Sequence, residues 1–431
     1  MVAWSPISGF GARRRHRVAI TGIGALTPIG CGVAGLWAGV MRGQSAVRAI
    51  TRFDPAPFRA RLAAEIHDFD PTTDLEPKQA KRLDRFSQFA VVAAKQAVAD
   101  ANLCLHGIHD SVGCYLGTAL GGVAFGESQH RAFLSQGVQH VSPALALAVF
   151  GGAGSSNVAI ELGLKGPSIA NSNSCASGAI AIGEAFGIVR DGRAPVMLAG
   201  GVEAPLAPLT FGSFALIKAM STTSEVEPAH ASRPFDKARD GFVMGEGAAM
   251  LVLESFEHAR SRGARVYAEL RGYATTNDAH HMLAPLPDGR EAARAMCLAL
   301  HDADLTPDDV DYVNAHASAT PIGDRAEARA IQLTFGERVR DVPVSGTKGL
   351  TGHPLGASGA IEAAISALAI QHSFLPGTTN LTEPDADNPL TLIPPAGVPG
   401  QPRVVLNNAF GFGGINATLV LTRPGDPADT D

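Results

Sequence analysis

The chain of 431 residues is 45% hydrophobic and 18% charged, with a formal net charge of -6. That is the composition of an ordinary globular protein, and the length suffices for two or three domains or one large two-part α/β body. It excludes general nucleic-acid binding, and no apolar run free of charge is long enough to cross a membrane.

In chain order, residues 1–16 form an Arg-rich stretch without acids and read as an N-terminal extension. Its composition has a weak likeness to an organellar transit peptide. Strands are expected at Val18–Gly22, Val112–Leu116, Val196–Ala199, Ala248–Leu253, Val266–Gly272, Val310–Asn314, Val404–Asn407 and Thr418–Leu421. Between Leu83 and Ala97 the apolar residues fall at helical spacing. The alternation of strand and helix predicts parallel sheets sandwiched by helices. Two further helices, Gly178–Val189 and Ala357–Ile370, are apolar nearly all round and should lie inside the body. Ala176–Ile180 and Ala357–Ile361 both read Ala-Ser-Gly-Ala-Ile, as an internal duplication would leave them. The expected division is 17–258 and 259–423, followed by a polar tail at 424–431.

The five cysteines are widely spaced with no CxxC pair, which points to a reducing, cytoplasmic setting and not to a disulfide framework. Cys175 lies in Asn171-Ser-Asn-Ser-Cys-Ala-Ser-Gly178, where a strand gives way to a buried helix. A thiol at a helix start meets the free N–H groups and positive dipole end that favour thiolate, and those N–H groups suit an oxyanion. Cys31, Cys104, Cys114 and Cys297 read as inert, buried thiols. His316, in Asn314-Ala-His-Ala-Ser-Ala-Thr-Pro-Ile-Gly-Asp324, follows a strand; His353, in Ser345-Gly-Thr-Lys-Gly-Leu-Thr-Gly-His353, precedes the second buried helix. Its place mirrors that of Cys175, so the two should face each other, with Lys348 supplying fixed positive charge. A lone histidine is more often a structural hydrogen-bonding residue, and the remaining histidines are read so. Cys and His without a close ligand pair make a metal site unexpected. Thr21-Gly-Ile-Gly-Ala-Leu-Thr-Pro-Ile-Gly30 has its third glycine out of step for a dinucleotide loop. In Asn407-Asn-Ala-Phe-Gly-Phe-Gly-Gly414, Phe412 is either the swinging gate that its glycines permit or a core residue in a tight turn.

Together Asn173-Ser-Cys-Ala-Ser-Gly178, Asn314-Ala-His316 with Thr320-Pro-Ile-Gly-Asp324, Gly346-Thr-Lys-Gly-Leu-Thr-Gly-His353 and Phe410-Gly-Phe-Gly-Gly414 resemble the signatures of β-ketoacyl-[acyl carrier protein] synthase II. Arg233-Pro-Phe-Asp-Lys237 with Asp240-Gly-Phe-Val-Met-Gly-Glu-Gly247 and Asp278-Ala-His-His-Met282 support the likeness, which runs from about Arg17 to Leu421. The resemblance implies a thiolase-like fold, two duplicated α/β halves in a five-layered αβαβα body. It implies an acyl chain held on Cys175 and a malonyl group on acyl carrier protein, condensed with loss of carbon dioxide. His316 and His353 would stabilise the carbonyl oxygen, and the N–H groups of Cys175 and Phe412 a second oxyanion. Lys348 would support the electrostatics and Glu362 would hold the site together. Leu120, reaching in from the other subunit, and Phe214 would line the acyl pocket; Ser318 and Thr320 would line the pantetheine tunnel. Lys78, Lys81 and Arg82 would meet the acidic carrier protein, or are simply an exposed basic helix start. No cofactor is implied beyond the carrier's phosphopantetheine. The implied assembly is a homodimer, or a heterodimer with a chain-length partner.

Three departures stand out: Ala317-Ser-Ala319 where the family has Gly-Thr-Ser, and Leu283 and Ile415 where it has threonines. The lost hydroxyls suit a specialised polyketide or polyene pathway as well as fatty acid synthesis. Thiolases need a second, later cysteine, and none follows Cys297. The initiating ketosynthase carries Asn where His353 stands, and a chain-length partner lacks the nucleophile. A thiolase-fold protein that binds acyl chains without turnover is the remaining alternative.

Overall fold

The computed structural model describes residues 15–223 and 227–425. Residues 1–14 of the expected extension and 426–431 of the expected tail lie outside the described residues. The architecture is one motif used twice. In the first half the strands are β1 (Val18–Thr27), β2 (Val112–Gly117), β3 (Ser168–Asn171), β4 (Val196–Glu203) and β5 (Gly247–Ser255). In the second they are β6 (Ala268–Asn277), β7 (Tyr312–Asn314), β8 (Pro343–Ser345), β9 (Val404–Gly411) and β10 (Ile415–Thr422). The spatial orders are β3-β2-β4-β5-β1 and β8-β7-β9-β10-β6, the same permutation. Pairings repeat too: the first three strands of each order run parallel and the last two join antiparallel. The two sheets touch edge to edge where Val18–Ile20 pairs antiparallel with Ala268–Leu270.

Each half also repeats three helices: α1 (Arg85–Asp100), α2 (Gly152–Leu162) and α3 (Ser177–Arg190), then α4 (Arg290–Asp302), α5 (Pro321–Phe335) and α6 (Ser358–His372). Helix α1 starts where Asp84 accepts from the Phe86 N–H at 3.2 Å, and buries Phe86, Phe89 and Ala93 against β2, β4 and β5. Helices α4 and α5 cover the outer face of the second sheet with Met296, Leu300 and Ile331. Between the sheets lie α3 and α6, whose apolar all-round sequences bury side chains such as Ile182, Phe186, Ile365 and Leu368 in one central core. The layers therefore run helix, sheet, helix, sheet, helix.

The repeated pentapeptide marks the crossing of the central helices. A Cβ on Gly178 would lie 2.8 Å from the Gly356 carbonyl oxygen, and one on Gly359 2.8 Å from Ala179 Cβ. Both positions require glycine because the helix starts pass at backbone distance. Strand β8 escaped the sequence reading because Pro-Val-Ser shows no alternation, and the strand expected just before Cys175 is β3. The strand expected at Val266–Gly272 begins two residues later and runs on to Asn277.

Candidate active site

Strand β3 ends at Asn171 and the chain turns before α3. In that turn Ser174 has φ +53, a left-handed conformation costing a non-glycine residue about 1 kcal/mol or more. The Ser177 hydroxyl holds it, donating to the Ser174 carbonyl at 2.7 Å and accepting the Asn173 N–H at 2.8 Å. Cys175 follows, 5% exposed. Strand β9 passes so close that a Cβ on Gly411 would sit 3.1 Å from Cys175 N, and the Phe412 N–H is directed at the sulfur.

His316 leaves the end of β7. Glu327, on α5, accepts the N–H groups of His316 (2.8 Å) and Ala317 (2.7 Å), and Asp324, one helical turn earlier, accepts that of Ala319 (3.0 Å). These carboxylates hold Ala317 and Ala319 at φ +40 and +66. His353 Nε2 lies 3.1 Å from Cys175 Sγ, and its Nδ1 2.8 Å from Ser358 Oγ at the start of α6. The His316 and His353 rings meet edge to face, with centroids 5.3 Å apart. Lys348 is buried behind His316; its Nζ reaches His316 Nδ1 at 3.4 Å and Glu362 Oε1 at 2.5 Å, and donates to the His316 carbonyl.

These contacts set the protonation states. Burial first, and Lys348 second, hold both imidazoles well below the usual histidine value of 6.5, so both are neutral at neutral pH. An ammonium only donates, so His316 Nδ1 must accept and Nε2 carries the proton toward the cavity. Burial pushes the Cys175 thiol up to about 11, outweighing the Ser174, Lys348 and Phe412 contributions. The helix-start thiolate expected from sequence is thus corrected: desolvation wins, and the resting group is a thiol against His353. Burial likewise raises Glu203, Glu327 and Glu362 to about 7 and Asp324 to about 6.

One cavity of about 320 Å³ gathers Cys175, His316, His353, Phe412, Ser318 and Thr320. Leu283 and Ile322 line it as well, as does Lys218, which is exposed. Lys348 and Glu362 stand behind the histidines, outside the lining. Leu120 and Phe214 do not border the cavity; they pack beside it in an apolar cluster with Cys175, Phe412 and Leu355. The Phe214 and Phe412 rings stack with centroids 6.2 Å apart. Leu120 belongs to the same chain as the cysteine it packs near, which corrects the expectation that it reaches in from another subunit. Lys78, Lys81 and Arg82 are exposed around the short helix Pro77–Ala80, apart from the cavity lining. Cys31, Cys104 and Cys297 are exposed, so of the four thiols expected to be buried only Cys114 is. No cluster of three metal-ligating side chains occurs among the described residues.

Sequence reasoning passed over Glu203, Asp324, Glu327 and Ser358. Asp324 and Glu327 were visible as acids at i, i+3 in the first turns of a helix just after His316, a spacing that shares one face. Ser358 lies inside the repeated pentapeptide, opposite Ser177.

The family described as beta-ketoacyl synthase, N-terminal domain, matches residues 15–259, and the one described as beta-ketoacyl synthase, C-terminal domain, matches residues 267–382. The chain is 45% identical over 415 residues to 3-oxoacyl-[acyl-carrier-protein] synthase 2 of Synechocystis, covering 95% of this chain and 98% of that protein. It is 43% identical over 411 residues to the protein of the same name from Staphylococcus aureus, covering 95% and 99%. Among solved structures it is similar to the ishigamide ketosynthase/chain length factor (TM-score 0.89, 35% identity, 95% and 100% covered). It is also similar to a type II polyketide acyl-carrier protein in complex with its ketosynthase bound to the hexaketide (TM-score 0.87, 34% identity, 95% and 99% covered).

Proposed function

The chain belongs to the β-ketoacyl synthase family and is an elongating 3-oxoacyl-[acyl carrier protein] synthase; from that premise we propose how its residues divide the work. The observation that carries the reading is one cavity in which a buried thiol and two buried, neutral imidazoles converge from different halves.

Acyl transfer comes first. The Cys175 S–H gives its proton to His353 Nε2 as sulfur attacks the carrier thioester, and that proton leaves with the carrier's thiol. The Ser358 hydroxyl both donates and accepts, so it serves either tautomer of His353. Malonyl-carrier then enters. Its thioester carbonyl accepts from the Nε2–H of His316 and of His353, the bond to the carboxylate breaks, and carbon dioxide leaves. The carbanion attacks the acyl carbon on Cys175; the oxyanion takes the N–H groups of Cys175 and Phe412. Collapse expels the thiolate, which takes a proton from solvent to restore the resting thiol, and yields a β-ketoacyl-carrier two carbons longer. Lys348 fixes the tautomer of His316, and Glu362 balances its charge. Ser318 and Thr320 meet the pantetheine, Leu120 and Phe214 the acyl chain, and Phe412 swings on Gly411, Gly413 and Gly414 to admit it. No cofactor beyond the carrier's arm is required.

Lys78, Lys81, Arg82 and the exposed Lys218 form the basic approach for an acidic carrier. We place the halves at 17–258 and 259–423. A second copy, or a chain-length partner, covers the open edge of β3 and the exposed Phe133, Leu134, Val138, Phe150 and Ile160 beside it. The cytoplasm is the compartment where such a carrier and free thiols coexist.

The test is intact mass spectrometry of the chain alone with acyl-carriers of graded length and malonyl-carrier. The expected outcome is an acyl adduct on Cys175 and a product longer by two carbons. An adduct without product points to a required partner subunit; no adduct at any length overturns the reading.

A further inference from the structure

Glu203 has no part in the chemistry above, is wholly buried at the end of β4, and collects four donors. Its Oε1 accepts from Thr118 Oγ1 and the Leu120 N–H, both at 3.1 Å. Its Oε2 accepts from the Ala119 N–H at 2.7 Å and the Gly356 N–H at 2.9 Å. The first three donors belong to the loop after β2 that carries Leu120. The fourth belongs to the turn after His353, in the other half of the chain. Next to it Leu355, at φ +38, packs in the same apolar cluster as Leu120 and Cys175.

The Leu120 loop is also tied to the nucleophile turn: Ser172 Oγ donates to the Ala119 carbonyl at 2.8 Å, and Ser177 Oγ lies 3.3 Å from the Thr118 carbonyl. No slack exists at the junction, because a Cβ on Gly356 would lie 2.4 Å from Ala119 N and 2.7 Å from Glu203 Oε2. One carboxylate thus clamps together two apolar residues that flank the sulfur. The cavity stops short of the Leu120 and Phe214 side chains, so an acyl chain growing from Cys175 has to displace apolar groups there.

We propose that Glu203 is a specificity-determining positioning residue, whose clamp on the Leu120 loop and the Leu355 turn limits the acyl length that Cys175 accepts. The inference rests on the condensing reading given above. Neutralising the clamp frees the loop, and longer chains gain over shorter ones.

The experiment measures the rate of Cys175 acylation by intact mass for the full chain, Glu203→Gln and Thr118→Val, with acyl-carriers of graded length. The ratio of long-chain to short-chain rates is expected to rise about tenfold in Glu203→Gln, the scale of one lost charged hydrogen bond, and less in Thr118→Val. An unchanged ratio, or an equal fall at every length, overturns the proposal. If Glu203→Gln lacks the wild-type circular dichroism spectrum, Thr118→Val decides alone, and an unchanged ratio there overturns it. Absence of any adduct on the unmutated chain instead sinks the condensing reading, so the two failures are distinguishable.

Discussion

Cys175 and His353 are a pair whose proton lies on sulfur at rest, because burial raises the thiol to about 11 and lowers the imidazole. Only the thiolate is alkylated, and a raised value means its fraction grows with pH across the whole neutral range. Iodoacetamide labelling of Cys175 should therefore speed up about tenfold per pH unit from 7 to 9. A rate already level below pH 8 would show a resting thiolate. Cys175→Ala is expected to abolish condensation while Cys104→Ala, at an exposed thiol, leaves it near normal; equal losses would refute the nucleophile. His316→Ala should still be acylated but decarboxylate malonyl-carrier more slowly by about a hundredfold or more, as removal of one oxyanion donor does. Loss of acylation in that variant would reassign His316. The nucleophile and both histidines were legible because each sits at the end or start of a predicted element. The roles of Glu203, Asp324 and Glu327 were not, although the spacing of the last two put them on one helix face: acids are normally solvated, and only the fold shows backbone N–H groups in place of water around them.

At the scale of elements, the two central helices were readable from composition alone, since an apolar sequence with no polar face has to be enclosed. Short strands such as β8 were not, because three residues carry no period. The crossing at Gly178 and Gly359 explains the repeated pentapeptide, which the sequence showed without its cause. Gly178→Ala should lower stability by about 1–3 kcal/mol in urea titration, the usual cost of overpacking; a change under about 0.5 kcal/mol would mean the helix starts part easily. Ala317 is the reverse case, a side chain held at φ +40. Ala317→Gly should stabilise by up to about 1 kcal/mol by relieving that strain, unless added freedom in the unfolded chain cancels it. A melting temperature that falls would show that the strain is not felt.

For the whole molecule, alternating strands and helices plus an internal match predicted two like α/β halves and the family resemblance implied the five-layer body, while the open side of the first sheet followed from neither. Apolar residues such as Leu134, 69% exposed, and Val138, 65%, cannot be told from core residues until the fold leaves them outside. On the proposed pairing with a second copy, Leu134→Glu with Val138→Glu should halve the mass seen by light scattering after gel filtration; an unchanged mass would put the pairing surface elsewhere. The doubled architecture has a further consequence. Two like subunits meeting about an axis must carry like residues at equivalent places, and their union depends on concentration. Here the equivalents are covalently joined, so association is permanent and symmetry is no longer enforced. One helix start was thereby free to specialise as acyl-bearing arm and its twin as proton carrier, a division of labour closed to an assembly of identical parts.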